Sequence, residues 1–147
     1  MNKMKVVSNR RARFDYEITE TVEAGLRLTG PEVKSCRLGQ VQFSGAYVTW
    51  QGREPAIVSL MIGPYQYANN EDYEPKRRRP LLLHKQESER LQALSMEKGV
   101  TIIPVELKAG KYIKLVLGVG RGRKKADRRE VIKKRDQDRN LRAGREE

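Results

Sequence analysis

Residues 112–119 read Tyr-Ile-Lys-Leu-Val-Leu-Gly-Val, and this stretch decides the fold class. Its apolar side chains recur at every second position, at Ile113, Leu115, Leu117 and Val119. A period of two is the pattern of a β-strand with one buried face. The apolar run at 100–107 predicts a second strand, and Ala109-Gly110 between the two predicts a hairpin turn.

Further strands are predicted upstream of this hairpin. Apolar residues alternate with Glu23, Gly25 and Arg27 at positions 22, 24, 26 and 28, which indicates a half-buried strand. Short apolar runs at 46–50 and 56–62 predict two more strands. The chain is therefore expected to be mainly β.

Two helices interrupt the predicted strands. Residues 30–39 place Pro31 at the first helical position, Glu32 after it and Gly39 at the end, which are helix start and stop signals. Residues 86–98 place Leu91 and Leu94 on one face and stop at Gly99. Short antiparallel strands with two or three short helices predict a small closed barrel of the oligonucleotide-binding type, because closure removes exposed edges.

The charge is concentrated at the C-terminus. The 147 residues contain 31 Lys+Arg and 19 Asp+Glu, a net charge of +12, and residues 118–147 alone carry 12 Lys+Arg and 6 Asp+Glu. These last residues have no aromatic side chain and too few apolar ones to build a core. We therefore expect a folded domain over 1–120, a flexible glycine hinge near 120–122, and a basic tail over 121–147.

The tail nevertheless has helical signals. Asp127 is a predicted N-cap with Glu130 three residues later, and Glu130 with Lys134 forms a favourable four-residue pair. Such a pair contributes only about 0.2–0.5 kcal/mol, which does not hold an isolated helix. The prediction is a tail that is disordered alone and becomes helical on an RNA surface. The alternative is a purely electrostatic anchor.

Composition narrows the function. Cys36 is the only cysteine and His84 the only histidine, so the sequence predicts no disulfide, metal site, cofactor or catalytic centre, and a nuclease or transferase is disfavoured. No stretch approaches the ~18 apolar residues of a membrane span, so a cytoplasmic protein that makes no membrane contact is expected. The excess positive charge favours a nucleic-acid partner.

Two basic clusters in the folded part contain or adjoin aromatic side chains that could stack on unpaired bases. They cover residues 9–16, with Phe14 and Tyr16, and residues 76–79, with Tyr65, Tyr67 and Tyr73 nearby. The alternative is that the aromatic groups belong to the core and the arginines to a solvated face. On the residues alone, Glu23 would be a solvent-facing strand residue and Leu82 a core residue.

Five ordered motifs resemble the SmpB family, the SsrA-binding proteins of bacterial trans-translation. The resemblance runs from about residue 9 to 139. The motifs are Asn9-Arg10-Arg11-Ala12-Arg13, Glu23-Ala24-Gly25-Leu26, Gly30-Pro31-Glu32-Val33-Lys34-Ser35, the stretch 75–85 and the stretch 118–136.

The resemblance implies a monomeric, non-enzymatic adaptor with an oligonucleotide-binding-type barrel. It would grip the tRNA-like domain of transfer-messenger RNA and enter the vacant decoding site of a stalled ribosome. There the barrel and tail stand in for the missing anticodon arm, with the tail along the message channel and an elongation factor contacted only through the RNA. A ribosomal or ribosome-assembly protein is the alternative.

The resemblance also implies two groups of site residues. The RNA-binding group is Asn9, Arg10, Arg11, Arg13, Glu23, Lys34, Arg77, Arg79, Leu82 and His84. The ribosome-contacting group is Phe14, Gly122, Lys124, Lys125, Asp127, Arg128, Arg129, Ile132, Lys133, Lys134 and Arg135. Phe14 departs from the family, which commonly carries His there, and retains a stacking face without the titratable proton.

Overall fold

The computed structural model describes residues 4–122. They are mainly β, with three helices. The strands are β1 Lys5–Ser8, β2 Tyr16–Leu26, β3 Val41–Gln42, β4 Tyr47–Gln51, β5 Glu54–Val58, β6 Met61–Ile62, β7 Arg79–Leu82, β8 Val100–Ala109 and β9 Ile113–Gly122. The helices are α1 Ala12–Asp15, α2 Gly30–Arg37 and α3 Lys85–Ser95.

Seven strands form one antiparallel sheet in the order β1-β8-β9-β2-β7-β5-β4, and β3 pairs separately with β6. The predicted hairpin is confirmed as β8 and β9, with Ala109 opposite Ile113. The strand predicted from residue 22 is confirmed as part of β2, which begins earlier, at Tyr16, and ends before Leu28. The predicted 56–62 strand is divided, because Ser59 has a positive φ of 61° and breaks the extended backbone between β5 and β6.

The predicted closed barrel is not confirmed. Within residues 4–122, β1 and β4 are the two ends of the sheet order and do not pair with each other. The sheet does curl, because β4 packs beside β8 although four strands lie between them in the sheet order. The structure thus shows a strongly curved antiparallel sheet with open edges.

The core fills the concave side of this sheet. The alternation that predicted β9 is confirmed, since Ile113, Leu115, Leu117 and Val119 are all buried. They pack with side chains of β5, β8 and α3 in one apolar cluster. The outward-facing residues of β2, β9 and β8 are thereby left to form a second, exposed surface.

Gly118 and Gly120 both lie inside β9, although Gly120 was predicted to belong to the hinge. Gly118 and Gly120 are buried, and a Cβ at Gly118 would lie 2.7 Å from Val105 Cγ2. A Cβ at Gly120 would lie 2.9 Å from the Tyr16 Cβ. These glycines permit close side-chain packing across the sheet, and β9 continues to Gly122. The domain boundary at 120 remains a prediction, because residues 123–147 lie outside the described part.

The helix signals are confirmed for α2 and α3, although both helices end earlier than predicted. Thr29 caps α2 in a capping box with Glu32, and Gly39 ends the turn after it with a φ of +76°. The helix predicted over 86–98 is α3, which begins one residue earlier and ends at Ser95. The patterns did not predict α1, β1 or β7, which are each four residues long.

A buried ion pair joins α2 to β7. Glu32 and Arg79 have side chains 1% and 0% exposed, and the Arg79 guanidinium lies 2.7 Å from Glu32 Oε2. Arg79 also donates to the carbonyl oxygens of Leu60 and Pro75, at 2.6 and 2.9 Å, and to the Tyr73 hydroxyl at 3.1 Å. One buried guanidinium therefore fixes the course of the long loop between β6 and β7.

The Glu32 carboxylate is held ionised. Burial alone would raise its pKa, but hydrogen bonds from Arg77, the Thr29 backbone and Arg79 outweigh burial and bring the pKa from 4.5 to about 2. Since the pKa is depressed in the folded state, the stabilisation is complete above about pH 4.5 and declines as the pH falls towards 2.

We expect Glu32→Gln to destabilise the fold by about 3–5 kcal/mol at pH 7, because it leaves Arg79 buried without its counter-ion. The deficit relative to wild type should shrink as the pH falls from about 4.5 towards 2, since protonation removes the same charge from wild type. Urea unfolding across this range measures both effects. Glu20→Gln, which breaks an exposed pair with Arg90, is the control and should cost below about 1 kcal/mol. Equal losses in the two variants would contradict the role of the buried pair.

Candidate nucleic-acid interface

The outward face of the sheet carries two adjacent rows of side chains across four strands. The first row consists of residues that lie opposite one another on neighbouring strands: Leu82 on β7, Gly25 on β2, Lys114 on β9 and Lys108 on β8. The second row contains Glu23, Val116 and Glu106, and His84 follows β7 on the Glu23 side. We call this surface the Glu23 face.

The Glu23 carboxylate lies between two lysines. Lys114 Nζ is 3.0 Å from Oε1 and Lys108 Nζ is 3.1 Å from Oε2. The hydrogen bonds from Lys114 and then Lys108 lower the pKa of Glu23, which keeps the carboxylate ionised and acceptor-only. All three side chains are partly exposed, so this charged group is accessible to a ligand.

Gly25 leaves room for Leu82 beside this carboxylate. A Cβ at Gly25 would lie 3.2 Å from the Leu82 Cβ, so the leucine side chain lies over the glycine backbone. Leu82 is 53% exposed, although its neighbour Leu81 is 5% exposed and belongs to the core. An apolar surface uncovered beside a fixed carboxylate suits a flat group with polar edges, such as a nucleobase.

A shallow cavity of about 350 Å³ lies between these groups, lined by Glu23, residues 81–84 and Glu87. His84 is exposed and precedes the first residue of α3, where its side chain makes no capping hydrogen bond. The structure thus brings together three of the predicted RNA-binding residues, Glu23, Leu82 and His84.

Lys34 lies on α2, and Arg77 contacts the same helix through Glu32. Lys34 is exposed on α2, which begins shortly after β2 ends. Arg77 is bound to Glu32 through its Nε at 3.1 Å, yet 32% of its side chain remains exposed. Arg77 therefore combines a structural contact with a charge that an RNA phosphate can still reach.

Arg79 requires a correction. The sequence pattern groups it with the surface arginines, but its side chain is completely buried and its donors point to Glu32, Tyr73 and backbone carbonyls. A direct RNA contact requires exposure, so Arg79 acts instead as a structural residue that supports β7 and the neighbouring Arg77.

The N-terminal basic cluster lies at the other end of β2. From Tyr16 to Glu23 the strand extends roughly 20 Å at 3.3 Å per residue. Arg10, Arg11 and Arg13 are exposed in and around α1. Asn9 is tied to β8, with its side chain donating to Pro104 O and its backbone N–H to Val105 O, both at 2.8 Å. Asn9 therefore positions the cluster, and its amide nitrogen is already engaged.

A larger groove of about 820 Å³ adjoins this cluster, between α1, β8 and the turn before β4. The Arg11 guanidinium lies 4.7 Å from the centre of the Phe14 ring, a cation–π contact. Phe14 is half-buried, so it keeps only part of its ring surface for another partner.

The aromatic side chains proposed for stacking divide into two groups. Tyr67 is 79% exposed and meets Tyr65 edge to face, with ring centres 5.4 Å apart. Tyr73 donates its hydroxyl to Ile62 O at 2.8 Å and accepts from Arg79, so it is structural. Tyr16 packs against Gly120. Among these four tyrosines, Tyr67 has the most exposed ring for base stacking.

The predicted tail contacts cannot be placed, because Lys124, Lys125, Asp127, Arg128, Arg129, Ile132, Lys133, Lys134 and Arg135 lie outside the described residues. Gly122 is described and ends β9.

Burial raises the pKa of the Cys36 thiol to about 12, so this cysteine is not a nucleophile. Among residues 4–122 no group of His, Cys, Asp and Glu could hold a metal ion, and no helix is long and apolar enough to span a membrane.

Lys108, Lys114 and Gly25 were missed as site residues. The predicted hairpin alone would have placed the two lysines opposite each other, since both lie near its turn. Their meeting with Glu23 depends on the pairing of β2 with β9 and could not be derived from local pattern. A small curved β-sheet that exposes cations, a fixed carboxylate and uncovered apolar groups is typical of RNA-binding proteins.

Comparisons with known proteins identify the family. A family model described as SmpB protein matches residues 6–146. The SsrA-binding proteins of Leuconostoc mesenteroides and Chlorobaculum tepidum are each 46% identical to the chain, covering 92% of it and 89% and 87% of their own lengths. A solved structure described as "tmRNA-SmpB: a journey to the center of the bacterial ribosome" contains a similar chain, with 43% identity, a TM-score of 0.70 and coverage of 82% of this chain and 85% of that one. The chain belongs to the SmpB family.

Leu82 and Leu81 test whether the exposed face has a role separate from the core. We expect Leu82→Ala to change the free energy of unfolding by below about 1 kcal/mol, because its side chain is 53% exposed. Leu81→Ala, one residue earlier on β7, should cost about 2–5 kcal/mol, because its side chain is buried. Urea unfolding of both variants makes the comparison. A large loss for Leu82→Ala would place this residue in the core instead.

Proposed function

We propose that this protein is an RNA-binding adaptor of trans-translation. It binds the tRNA-like domain of transfer-messenger RNA, delivers that RNA to stalled ribosomes and occupies the decoding site in place of an anticodon arm. Membership of the SmpB family carries this conclusion, and the chemistry of the Glu23 face supports it.

The Glu23 face suits recognition of a folded RNA better than general attraction to polyanions. Glu23 is a charged acceptor inside a basic surface, so it repels phosphate and selects base edges or ribose hydroxyls that donate hydrogen bonds. Leu82 lies beside it and can cover a base face, while the exposed Lys34 and the partly exposed Arg77 can bind phosphate oxygens.

The N-terminal cluster supplies a second surface. Arg10, Arg11 and Arg13 lie roughly 20 Å from Glu23 along β2, too far to serve the same nucleotides. On this proposal they bind a separate segment of transfer-messenger RNA. Phe14, next to them, faces ribosomal RNA and offers a stacking surface but no proton at the decoding site. The adaptor thus binds its RNA at both ends of β2 and meets the ribosome through Phe14 and the tail.

Several finer features belong to the same proposal. The curl that brings β4 beside β8 supports a barrel of the oligonucleotide-binding type. The protein acts in the cytoplasm, as a monomer, without catalysis or a cofactor, and meets an elongation factor only through the RNA. The basic tail from residue 121 becomes helical when it enters the message channel.

Glu23→Gln separates recognition from bulk charge. It removes the carboxylate and makes the protein more positive, so nonspecific binding should stay equal or strengthen while affinity for the tRNA-like domain falls by about tenfold or more. Binding titrations at 0.2 M salt with transfer-messenger RNA, an ordinary tRNA and duplex RNA measure the difference.

Glu20→Gln is the matched control for this experiment. Glu20 lies on the same strand, is 39% exposed against 40% for Glu23, and is also ion-paired, with Arg90 at 2.6 Å. It should bind like wild type. If wild-type protein binds all three RNAs equally and with the same salt dependence, the adaptor function is excluded and a ribosomal or assembly protein is favoured.

Truncation after Gly122 tests the two-surface arrangement. The cut keeps all of β9, including the Gly122 N–H to Gly99 O hydrogen bond and the Arg121–Glu97 ion pair. We expect affinity for the tRNA-like domain to stay within about threefold of wild type, because the Glu23 face is intact. Tagging of nascent chains on stalled ribosomes should be lost. Loss of RNA binding in this variant would contradict the separation of surfaces.

A further inference from the structure

The long loop between β6 and β7 has a compact outer part, residues 63–74, which we call the loop tip. Its ends are held together, because the Ile62 N–H donates to Pro75 O at 3.0 Å. Within it, the Asn70 side chain donates to Tyr65 O at 2.9 Å. The loop tip is therefore a shaped surface, and compact loops of this kind are frequently functional.

Two tyrosines pack on each other in the loop tip. Tyr67 is 79% exposed, the largest exposed fraction among the large apolar side chains of residues 4–122. Its ring meets that of Tyr65 edge to face, with centres 5.4 Å apart. Tyrosine supplies a large contact area at a low cost in conformational entropy and is enriched at protein–protein interfaces. An exposed tyrosine supported by a second ring is thus suited to contact another macromolecule.

The loop tip is acidic, in contrast to the chain as a whole. Residues 63–74 contain Glu71, Asp72 and Glu74 and no lysine or arginine, whereas the whole chain has a net charge of +12. All three carboxylates are exposed. Within residues 4–122 none of them forms an ion pair. They differ in this respect from Glu23, which is bound by two lysines.

This charge determines which class of partner the loop tip fits. Carboxylates that no cation neutralises repel a phosphate backbone within the Debye length of about 8 Å at physiological salt. Stacking of Tyr67 on a base would bring the phosphates of that RNA close to these carboxylates. The same carboxylates attract lysine and arginine, and a guanidinium also binds the face of a tyrosine ring. A basic protein therefore fits the loop tip better than a nucleic acid does.

We propose that the loop tip is a docking surface for a lysine- and arginine-rich protein segment exposed on the ribosome. The Tyr67 ring receives an arginine guanidinium or the aliphatic part of a lysine, and Glu71 and Asp72 bind neighbouring cations. The contact is between proteins, so it adds to the RNA contacts without competing for them. This inference rests on the proposed function, because that function brings the chain to the ribosome.

The carboxylates are tested with full-length protein bound to transfer-messenger RNA and with purified stalled ribosomes. Glu71→Gln combined with Asp72→Asn should weaken binding to these ribosomes about tenfold at 0.1 M salt, because two attractive charges are lost. Affinity for free transfer-messenger RNA should equal or slightly exceed that of wild type. If the loop tip contacted RNA instead, the same variant would bind ribosomes equally or more tightly, since repulsion of phosphate would be removed.

Glu54→Gln combined with Glu89→Gln is the control matched in charge. Both carboxylates are exposed, lie outside the loop tip and form no ion pair within the described part of the chain. This variant should bind stalled ribosomes like wild type. An equal loss in both double variants would show that net charge matters and the loop tip does not.

Tyr67 is tested by substitution and by crosslinking. Tyr67→Phe should bind ribosomes like wild type, since the ring remains, and Tyr67→Ala should bind about tenfold more weakly. A photoreactive amino acid in place of Tyr67 should crosslink to a ribosomal protein, in a product that survives nuclease and is lost on proteolysis. The same amino acid in place of Met96, which is 76% exposed, should not form this product.

The outcomes separate this inference from the function on which it rests. Urea unfolding midpoints near that of wild type establish that the variants are folded, as expected for exposed loop positions. If the wild-type complex does not bind stalled ribosomes, the proposed function itself fails. If it binds and the loop-tip variants keep its affinity, or if the crosslink at position 67 is to RNA, the docking proposal is overturned and the adaptor function stands.

Discussion

The pairing of β9 with strands on both of its sides determines what this protein can present to a partner. β9 is hydrogen-bonded to β8 along one edge and to β2 along the other, and the two registers align Lys108, Lys114 and Gly25 in one row. The same alternation buries Leu115 and Leu117 in the core. Since side chains alternate with a period of two, a shift of one residue would exchange the core with the charged face. Core packing therefore fixes the chemistry of the exposed surface.

The buried ion pair between Arg79 and Glu32 also stabilises the sheet, because it holds β7 in position. Glu32 completes the capping box of α2 and also binds Arg77 and Arg79, so one carboxylate connects the start of a helix to the start of β7. β7 then carries Leu82 to its place over Gly25. The consecutive arginines 77–79 look alike in sequence but differ in role, since burial decides which charge is structural and which can meet RNA.

Local pattern predicted the parts of the fold that depend on neighbours in sequence. The β8–β9 hairpin and the capped helix α2 follow from alternation, turn residues and capping residues, and they were predicted correctly. The short elements α1 and β7 were missed because four residues carry too little periodicity. Gly120 was assigned to a hinge because the reason for a glycine there, its close contact with Tyr16, arises only on folding. Among the site residues, the resemblance supplied Glu23 and Leu82, which periodicity alone assigned to solvent and core.

The position of Glu23 among lysines bears on how a strongly basic protein achieves selectivity. A surface of lysines alone would bind any polyanion, with an affinity set by salt and by the number of phosphates contacted. The carboxylate lowers that general affinity, because it neutralises part of the local charge and repels phosphate at its own position. On the proposed function, an RNA that places a hydrogen-bond donor at Glu23 satisfies the carboxylate, whereas an RNA that places a phosphate there is repelled. The net charge of +12 would then attract RNA in general, and the carboxylate on β2 would discriminate among the RNAs attracted.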